Sequence, residues 1–321
     1  MNSEAEPGQD AASIDMASLD ALFDQIPSLV DQPRTVVELP GGLTNLNLKV
    51  TTPRGVFVAR CSRSDTTLLG IDREAEHENT RSAETAGVGA PVVEFRPDLD
   101  VLVIGFIDGR SFENDDLRQP GALTRVAEAC RTLHSGPRFV GDFDMFSRQK
   151  NYLATIIDGG FAHPSDYGEF EPQFQRIRAA LTVKAGPTVP CNNDLLAGNM
   201  VDDGQKLWLI DYEYSGNNDP FFELGNTWTE TQLDDDHLDE LVTAYVGPGE
   251  PQSIAQSIAR ARIQATVSRY GWSLWGYIQA AASDHDYDFL GWGQERYEAA
   301  VEDFRSPKFG RLLDTAAGGR P

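Results

Sequence analysis

Between Pro190 and Pro220 the chain reads PCNNDLLAGNMVDDGQKLWLIDYEYSGNNDP, and this stretch concentrates the side chains best suited to chemistry. Asp194 is followed by Asn199 across a short polar loop, and then by Asp211 after a tight hairpin. Asp203-Gly204 has the composition of the turn, and Lys206 to Ile210 reads as the returning apolar strand. That hairpin brings Asn199 and Asp211 close together in space. Two hard oxygen ligands beside one free carboxylate suit a magnesium nucleotide: the pair holds Mg²⁺ on the phosphates and the separate carboxylate orients an attacking hydroxyl. A D-x4-N spacing alone is an ordinary solvated turn. Its combination with a hairpin and a strand-end Asp gives the reading its weight.

The elements that must position these groups can be followed from the amino terminus. Ser18 to Ile26 has a cap residue and apolar positions at helical spacing. Thr35 to Leu39, Pro40 to Val50 and Gly55 to Arg60 read as strands, with Gly41-Gly42 in a connection where backbone N–H groups could lie over phosphates. Asp72 to Ala86 is a charged helix ending at Gly87, and Pro91 to Phe95 and Val101 to Ile107 are two further strands. Past Asp108 the pattern turns helical, over 123–133, 146–158, 170–183, 221–230, 262–282 and 291–304. Trp272 and Trp275 lie three apart and share one helix face. Paired indoles on a helix are more often core than ligand box, and a lone helical Glu such as Glu230 is more often solvated than functional.

The order of these groups is that of protein kinases, without an HRD tripeptide and with Ile210-Asp211-Tyr212-Glu213-Tyr214 where DFG would stand. NNDLLAGN and IDYEYSGNNDPFFELGN resemble the choline/ethanolamine kinase and aminoglycoside phosphotransferase group, and most of all bacterial choline kinases of the LicA type. GGLTNLN resembles their nucleotide loop and WSLWGYIQ their choline-pocket helix, so the likeness runs from Val36 to Tyr297. It implies an α+β, bilobal protein-kinase-like fold with a small β-rich N-lobe and a larger, mainly helical C-lobe. The expected division is a disordered tail over 1–15, a nucleotide-binding lobe over 16–107, and a catalytic and acceptor-binding lobe over 108–321.

The resemblance also implies ATP and Mg²⁺ as cofactors and choline as the alcohol. By it Asp194 is catalytic, and Asn199 and Asp211 carry the metal. Gly41, Gly42, Asn45 and Arg60 hold the nucleotide, and Glu76 pairs with Arg60, with Glu74 and Glu78 as rivals. Glu230, Trp272 and Trp275 would surround the quaternary amine, which aromatic faces and a nearby negative charge can recognise without hydrogen bonds. Asp219 is expected to brace the catalytic loop from behind, and the Leu-His-Ser element at His134 to be structural. Many relatives have His where Asn192 stands, and an Asn amide can still brace the loop. Ethanolamine or another amino-alcohol, thiamine or an aminoglycoside are alternative acceptors. A nucleotide-binding pseudokinase scaffold is the alternative from another class.

Composition narrows the remaining classes. A formal net charge of -23 opposes binding to nucleic acid or to an anionic membrane, and obliges a polyanionic nucleotide to rely on Mg²⁺ and a few placed arginines. No apolar run is long enough for a membrane span, and the acidic start lacks a secretory core. The 3 widely spaced cysteines suit reduced thiols in the cytoplasm. The sequence gives no signal of oligomeric state.

Overall fold

The computed structural model describes residues 16–62 and 66–319, so the tail expected over 1–15 lies outside it. The amino-terminal part is a five-stranded antiparallel sheet of β1 (Thr35–Glu38), β2 (Asn45–Thr52), β3 (Gly55–Ser62), β4 (Val92–Arg96) and β5 (Val101–Gly105), in the order β1-β2-β3-β5-β4. Because side chains alternate along a strand, the sheet has two distinct faces. On one, Leu48, Val50, Ala59, Val101 and Val103 are covered by α1 (Met16–Phe23) and the turn after it, through Leu19, Phe23, Ile26 and Leu29. On the other lie Val58 and Arg60, in register with Ile104 and Leu102. Helix α2 (Arg73–Ala86) packs beside β4. Asp72 caps its start by accepting from the N–H groups of Glu74 and Ala75, and Gly87 ends it in a left-handed conformation.

The rest of the chain is mainly helical. It contains the short strand β6 (Arg110–Ser111), then α3 (Ala122–His134), α4 (Met145–Gly159), α5 (Glu171–Thr182) and β7 (Val189–Cys191). The hairpin β8 (Met200–Asp202) and β9 (Leu207–Leu209) and the strand β10 (Gly216–Asn218) follow, and then α6 (Pro220–Glu230), α7 (Asp235–Val246), α8 (Pro251–Ala282), α9 (Phe289–Arg305) and α10 (Phe309–Ala316). Helices α7 and α10 were not anticipated. Helix α8 begins eleven residues before the expected Arg262, with proline in its first turn, where a missing N–H costs nothing.

Helix α8 is the axis of this part, and nearly all of it from Ala259 to Gln279 is buried. It touches α9 through glycine: a Cβ on Gly276 would lie 2.8 Å from the Cα of Gly293. This contact sets Trp275 of α8 against Trp292 of α9, with ring centroids 5.1 Å apart. Among the described residues no helix is long and apolar enough to cross a membrane, and Cys61, Cys130 and Cys191 form no disulfide.

Gly276→Ala should push α8 and α9 apart and lower stability by about 1–3 kcal/mol, the usual cost of overpacking. A urea melt measures this, and an unchanged midpoint would show that the two helices separate freely.

Candidate active site

The loop that carries Asp194 is fixed from below by a carboxylate the sequence did not single out. Glu223, fully buried on α6, accepts from the backbone N–H of Asn192 at 2.9 Å and of Asn193 at 2.7 Å. Asp219, expected in that role, instead caps α6 through the N–H of Phe221 and pairs with Arg260 at 2.7 Å. The reason is position: Asp219 precedes the helix, whereas Glu223 sits within its first turn and is the acid buried beneath the loop. Asn193 adopts φ 67, a left-handed conformation Asn tolerates, and its amide donates to the carbonyls of Cys191 and Tyr214. His134 lies behind the loop, against Tyr245 and Cys191, and burial pushes its pKa down to about 3. It is a neutral structural group.

The hairpin pairs Met200 with Leu209 and Asp202 with Leu207. Its turn is held by Asp203, whose carboxylate accepts from the N–H of Gln205, the N–H of Lys206 and the indole of Trp208. The backbone N–H of Ile210 donates to the carbonyl of Asn199 at 3.0 Å, which draws the two ends together as expected. The side-chain N–H₂ of Asn199 donates to the Asp194 carbonyl at 2.9 Å, leaving its amide oxygen for another partner. Asn192 completes the join. Its amide oxygen accepts from the Asp194 N–H at 3.1 Å while its nitrogen donates to the carbonyls of Ile210 and Asp211 at 3.1 and 2.8 Å. Asp211 is held at φ 66, a conformation unusual for a residue with a Cβ and typical of functional positions.

Above this floor lies a network of ion pairs. Arg60 reaches Asp211 at 2.6 Å and Glu76 at 3.1 Å. Glu76 is therefore the partner on α2, since Glu74 and Glu78 are exposed. Arg73 joins Glu76 at 2.6 Å to Glu213 at 3.3 Å. Burial opposes the charge on Arg60, but Asp211, Glu76 and Glu213 more than offset it and raise its pKa. Burial also raises Glu213 to about 7, helped by Asp211 and Glu76 and opposed by Arg60 and Arg73. Asn45, expected at the nucleotide, has its amide committed here: it donates to Glu213 at 2.9 Å and accepts from Arg73 at 2.9 Å. Thr44 also donates to Glu213, at 2.8 Å. Gly41 and Gly42 both have positive φ, and a Cβ on Gly42 would meet the Asn45 carbonyl at 2.9 Å.

Two features of this donor set fit a magnesium nucleotide. The Nε atoms of Arg60 and Arg73 are buried without a hydrogen-bond partner, as N–H groups awaiting phosphate oxygens would be. One carboxylate and one amide oxygen, from Asp211 and Asn199, are hard ligands suited to Mg²⁺. Among the described residues no group of three His, Cys, Asp or Glu side chains could hold a metal.

On the far side of Asp194 lies an aromatic wall centred on Tyr214. Trp275 donates its indole N–H to the Tyr214 hydroxyl at 2.8 Å, and the Trp272 ring meets Tyr214 edge-on at 4.9 Å. Trp272 is tied to Asn226 by its N–H and packs on Phe143, so it is partly a core residue. Glu230 is not the bare charge expected, because Arg296 takes both its carboxylate oxygens. Burial raises the Asp194 carboxyl well above the usual range, and Asp211, Glu230 and Glu213 raise it further, with Arg296 opposing. Asp194, the Asn199 and Asp211 pair and the aromatic cluster therefore adjoin one another. Sequence reasoning missed Tyr214, Glu223, Trp292 and Arg296. The last two had a signal, an i, i+4 spacing on one helix face, whereas Glu223 had none.

A small sheet over a helical part, with the Asp194 loop and the Asp211 segment meeting beneath the sheet, is the architecture of a kinase-like fold. The sequence model of the family described as choline/ethanolamine kinase matches residues 36–247, more than half of the chain. A probable ethanolamine kinase of Arabidopsis thaliana is 26% identical over 311 residues, covering 86% of this chain and 81% of its own. The protein LicA of Haemophilus influenzae is 26% identical over 273 residues, covering 82% and 78%. A crystal structure of a choline/ethanolamine kinase family protein from Mesorhizobium loti superposes with a TM-score of 0.81 at 28% identity, covering 95% of this chain and 99% of that one. The chain belongs to the choline/ethanolamine kinase family, and is a phosphotransferase acting on an alcohol.

Burial pushes Glu223 from 4.5 up to about 7, against the two loop N–H groups that pull it down. With the folded pKa above the unfolded one, the folded state binds the extra proton between those values. The contribution of Glu223 to stability is therefore complete below the unfolded pKa and is lost as pH rises through the folded one. Glu223→Gln should flatten that part of the stability-pH curve in urea melts while lowering stability throughout, because an N–H loses its acceptor. An unaltered slope would contradict the assignment.

Proposed function

We propose that the protein transfers the γ-phosphoryl group of ATP to the hydroxyl of choline, with Mg²⁺ as the metal. The observation that carries this reading is the Asn192 amide, which joins the backbone of Asp194 to that of Asp211 and so couples a free carboxylate to the metal-ligand pair. Asp194 accepts a hydrogen bond from the choline hydroxyl, aims it at the γ-phosphorus, and takes its proton as the new bond forms. Its raised pKa makes it a better proton acceptor than an ordinary carboxylate.

Asn199 and Asp211 hold the metal, which when bound neutralises charge on the transferring phosphoryl group. Arg60, kept charged by Asp211 and Glu76, contacts the phosphates, with Gly41 and Gly42 allowing the loop above to approach. The phosphoryl-transfer transition state is loose, so positioning and charge neutralisation supply most of the acceleration. Tyr214, Trp272 and Trp275 receive the trimethylammonium group, and Glu230 contributes to the negative field. The lobes divide near residue 108, a boundary supported by β6 at 110–111, which pairs with β8 rather than with the sheet. A cytoplasmic setting suits three cysteines that form no disulfide with one another. Ethanolamine is the second reading, supported by the ethanolamine kinases among the similar proteins.

Asp194→Ala should abolish turnover in a coupled ADP-release assay while leaving magnesium-ATP affinity nearly intact by calorimetry. Retained turnover would remove the base assignment. A panel of choline, ethanolamine, thiamine and kanamycin should give the highest kcat/KM with choline. A signal from kanamycin alone would contradict the aromatic pocket, and no ADP release with any acceptor would favour a scaffold.

A further inference from the structure

We infer that Arg296 determines acceptor specificity, favouring a quaternary over a primary ammonium by occupying the hydrogen-bonding capacity of Glu230. The inference rests on the proposed acceptor pocket and deepens it. Three observations converge on this residue. Its Nε donates to one oxygen of Glu230 at 3.1 Å and a terminal nitrogen donates to the other. Its remaining nitrogen donates to the Trp292 carbonyl at 3.2 Å. Its guanidinium lies flat over the Trp292 ring, 3.4 Å from the centroid. The Glu230 side chain is only 4% exposed and that of Arg296 16%, so the pair is a fixed part of the wall. It is also close enough to Asp194 for both members to act on that carboxyl.

The consequence differs between the two candidate acceptors. Each carries one positive charge, so repulsion from Arg296 and attraction to the surrounding carboxylates are shared and cancel from the comparison. Hydrogen bonding does not cancel. A primary ammonium leaving water needs acceptors for three N–H groups, and both oxygens of Glu230 already accept from the bidentate Arg296 fork, which weakens each as an acceptor. A trimethylammonium group has no N–H to satisfy and asks only for aromatic surface and a diffuse negative field. Tyr214 and Trp275, linked through the indole N–H at 2.8 Å, offer such a surface. Arg296 therefore handicaps ethanolamine and leaves choline nearly unaffected. It is a positioning residue, acting through Glu230.

The test is steady-state kinetics with choline and ethanolamine for the wild-type chain, Arg296→Met and Arg296→Lys, with acceptor binding followed independently by tryptophan fluorescence. Freeing the oxygens of Glu230 in Arg296→Met should shift the kcat/KM ratio toward ethanolamine by about tenfold, one charge-assisted hydrogen bond. The change should reside in the acceptor KM and in fluorescence-measured affinity, with the KM for ATP unmoved. Arg296→Lys keeps the charge but loses the fork and should fall between the two. It also serves if the methionine variant folds poorly. A ratio that stays constant while both substrates weaken equally, or one that moves toward choline, would overturn the inference. Wild-type enzyme that phosphorylates neither amine would overturn the underlying pocket instead, an outcome visible before any variant is made.

Discussion

The constraint on which this structure depends is the mutual repulsion of carboxylates gathered into one cleft. Asp194, Asp211, Glu213, Glu76 and Glu230 all lie within it, in a chain whose net charge is already -23. Acids brought together away from water either lose their charge or acquire partners. Both responses are visible. Asp194 and Glu213 have raised pKa values, while Glu76, Asp211 and Glu230 are paired with Arg60, Arg73 and Arg296. A cleft built this way attracts cations. A metal ion and an alkylated ammonium, as proposed, would both suit it, and the arginines would admit a polyanionic nucleotide.

Holding such a site together requires the loops beneath it to be immobile. Two residues, Asn193 and Asp211, stand in left-handed backbone conformations, and each is tied by several hydrogen bonds. Glu223 anchors the loop from below, and Asn192 spans it to the metal-ligand strand. The aromatic wall has its own support. The glycine contact between α8 and α9 sets the distance between Trp275 and Trp292, and thereby between the tryptophan pair and the Arg296 fork. Packing between α8 and α9 thus determines the shape of the proposed acceptor side.

What could be read from the sequence follows from how local each signal was. Asp194, Asn199 and Asp211 were legible because an Asp-Gly turn joins two short strands, so their proximity is a matter of chain geometry over a few residues. Arg60 was legible as a strand-end cation, while its place on the face opposite α1 became visible only in the sheet itself. Glu76 was preferred from the sequence with Glu74 and Glu78 as rivals, since all three look alike on a charged helix, and the burial of Glu76 on α2 separates them. Glu223 took the bracing role expected of Asp219 because nothing local distinguishes an acid before a helix from one in its first turn. The Glu230 to Arg296 pair spans 66 residues and joins α6 to α9, each of which packs on α8 at a glycine. No pattern within either segment announces it. Helix α8 was read short because its first turns are polar and carry little periodicity.

The central claim is that Asn199 and Asp211 share a divalent ion on the nucleotide beside Asp194. Calorimetric titration of ADP into wild-type and Asp211→Asn protein, with and without Mg²⁺, tests it most directly. The account predicts that the variant loses the magnesium-dependent part of the affinity, by about tenfold or more, while magnesium-free binding through the arginines stays the same or strengthens as Arg60 is released. Equal magnesium dependence in the two proteins would contradict it.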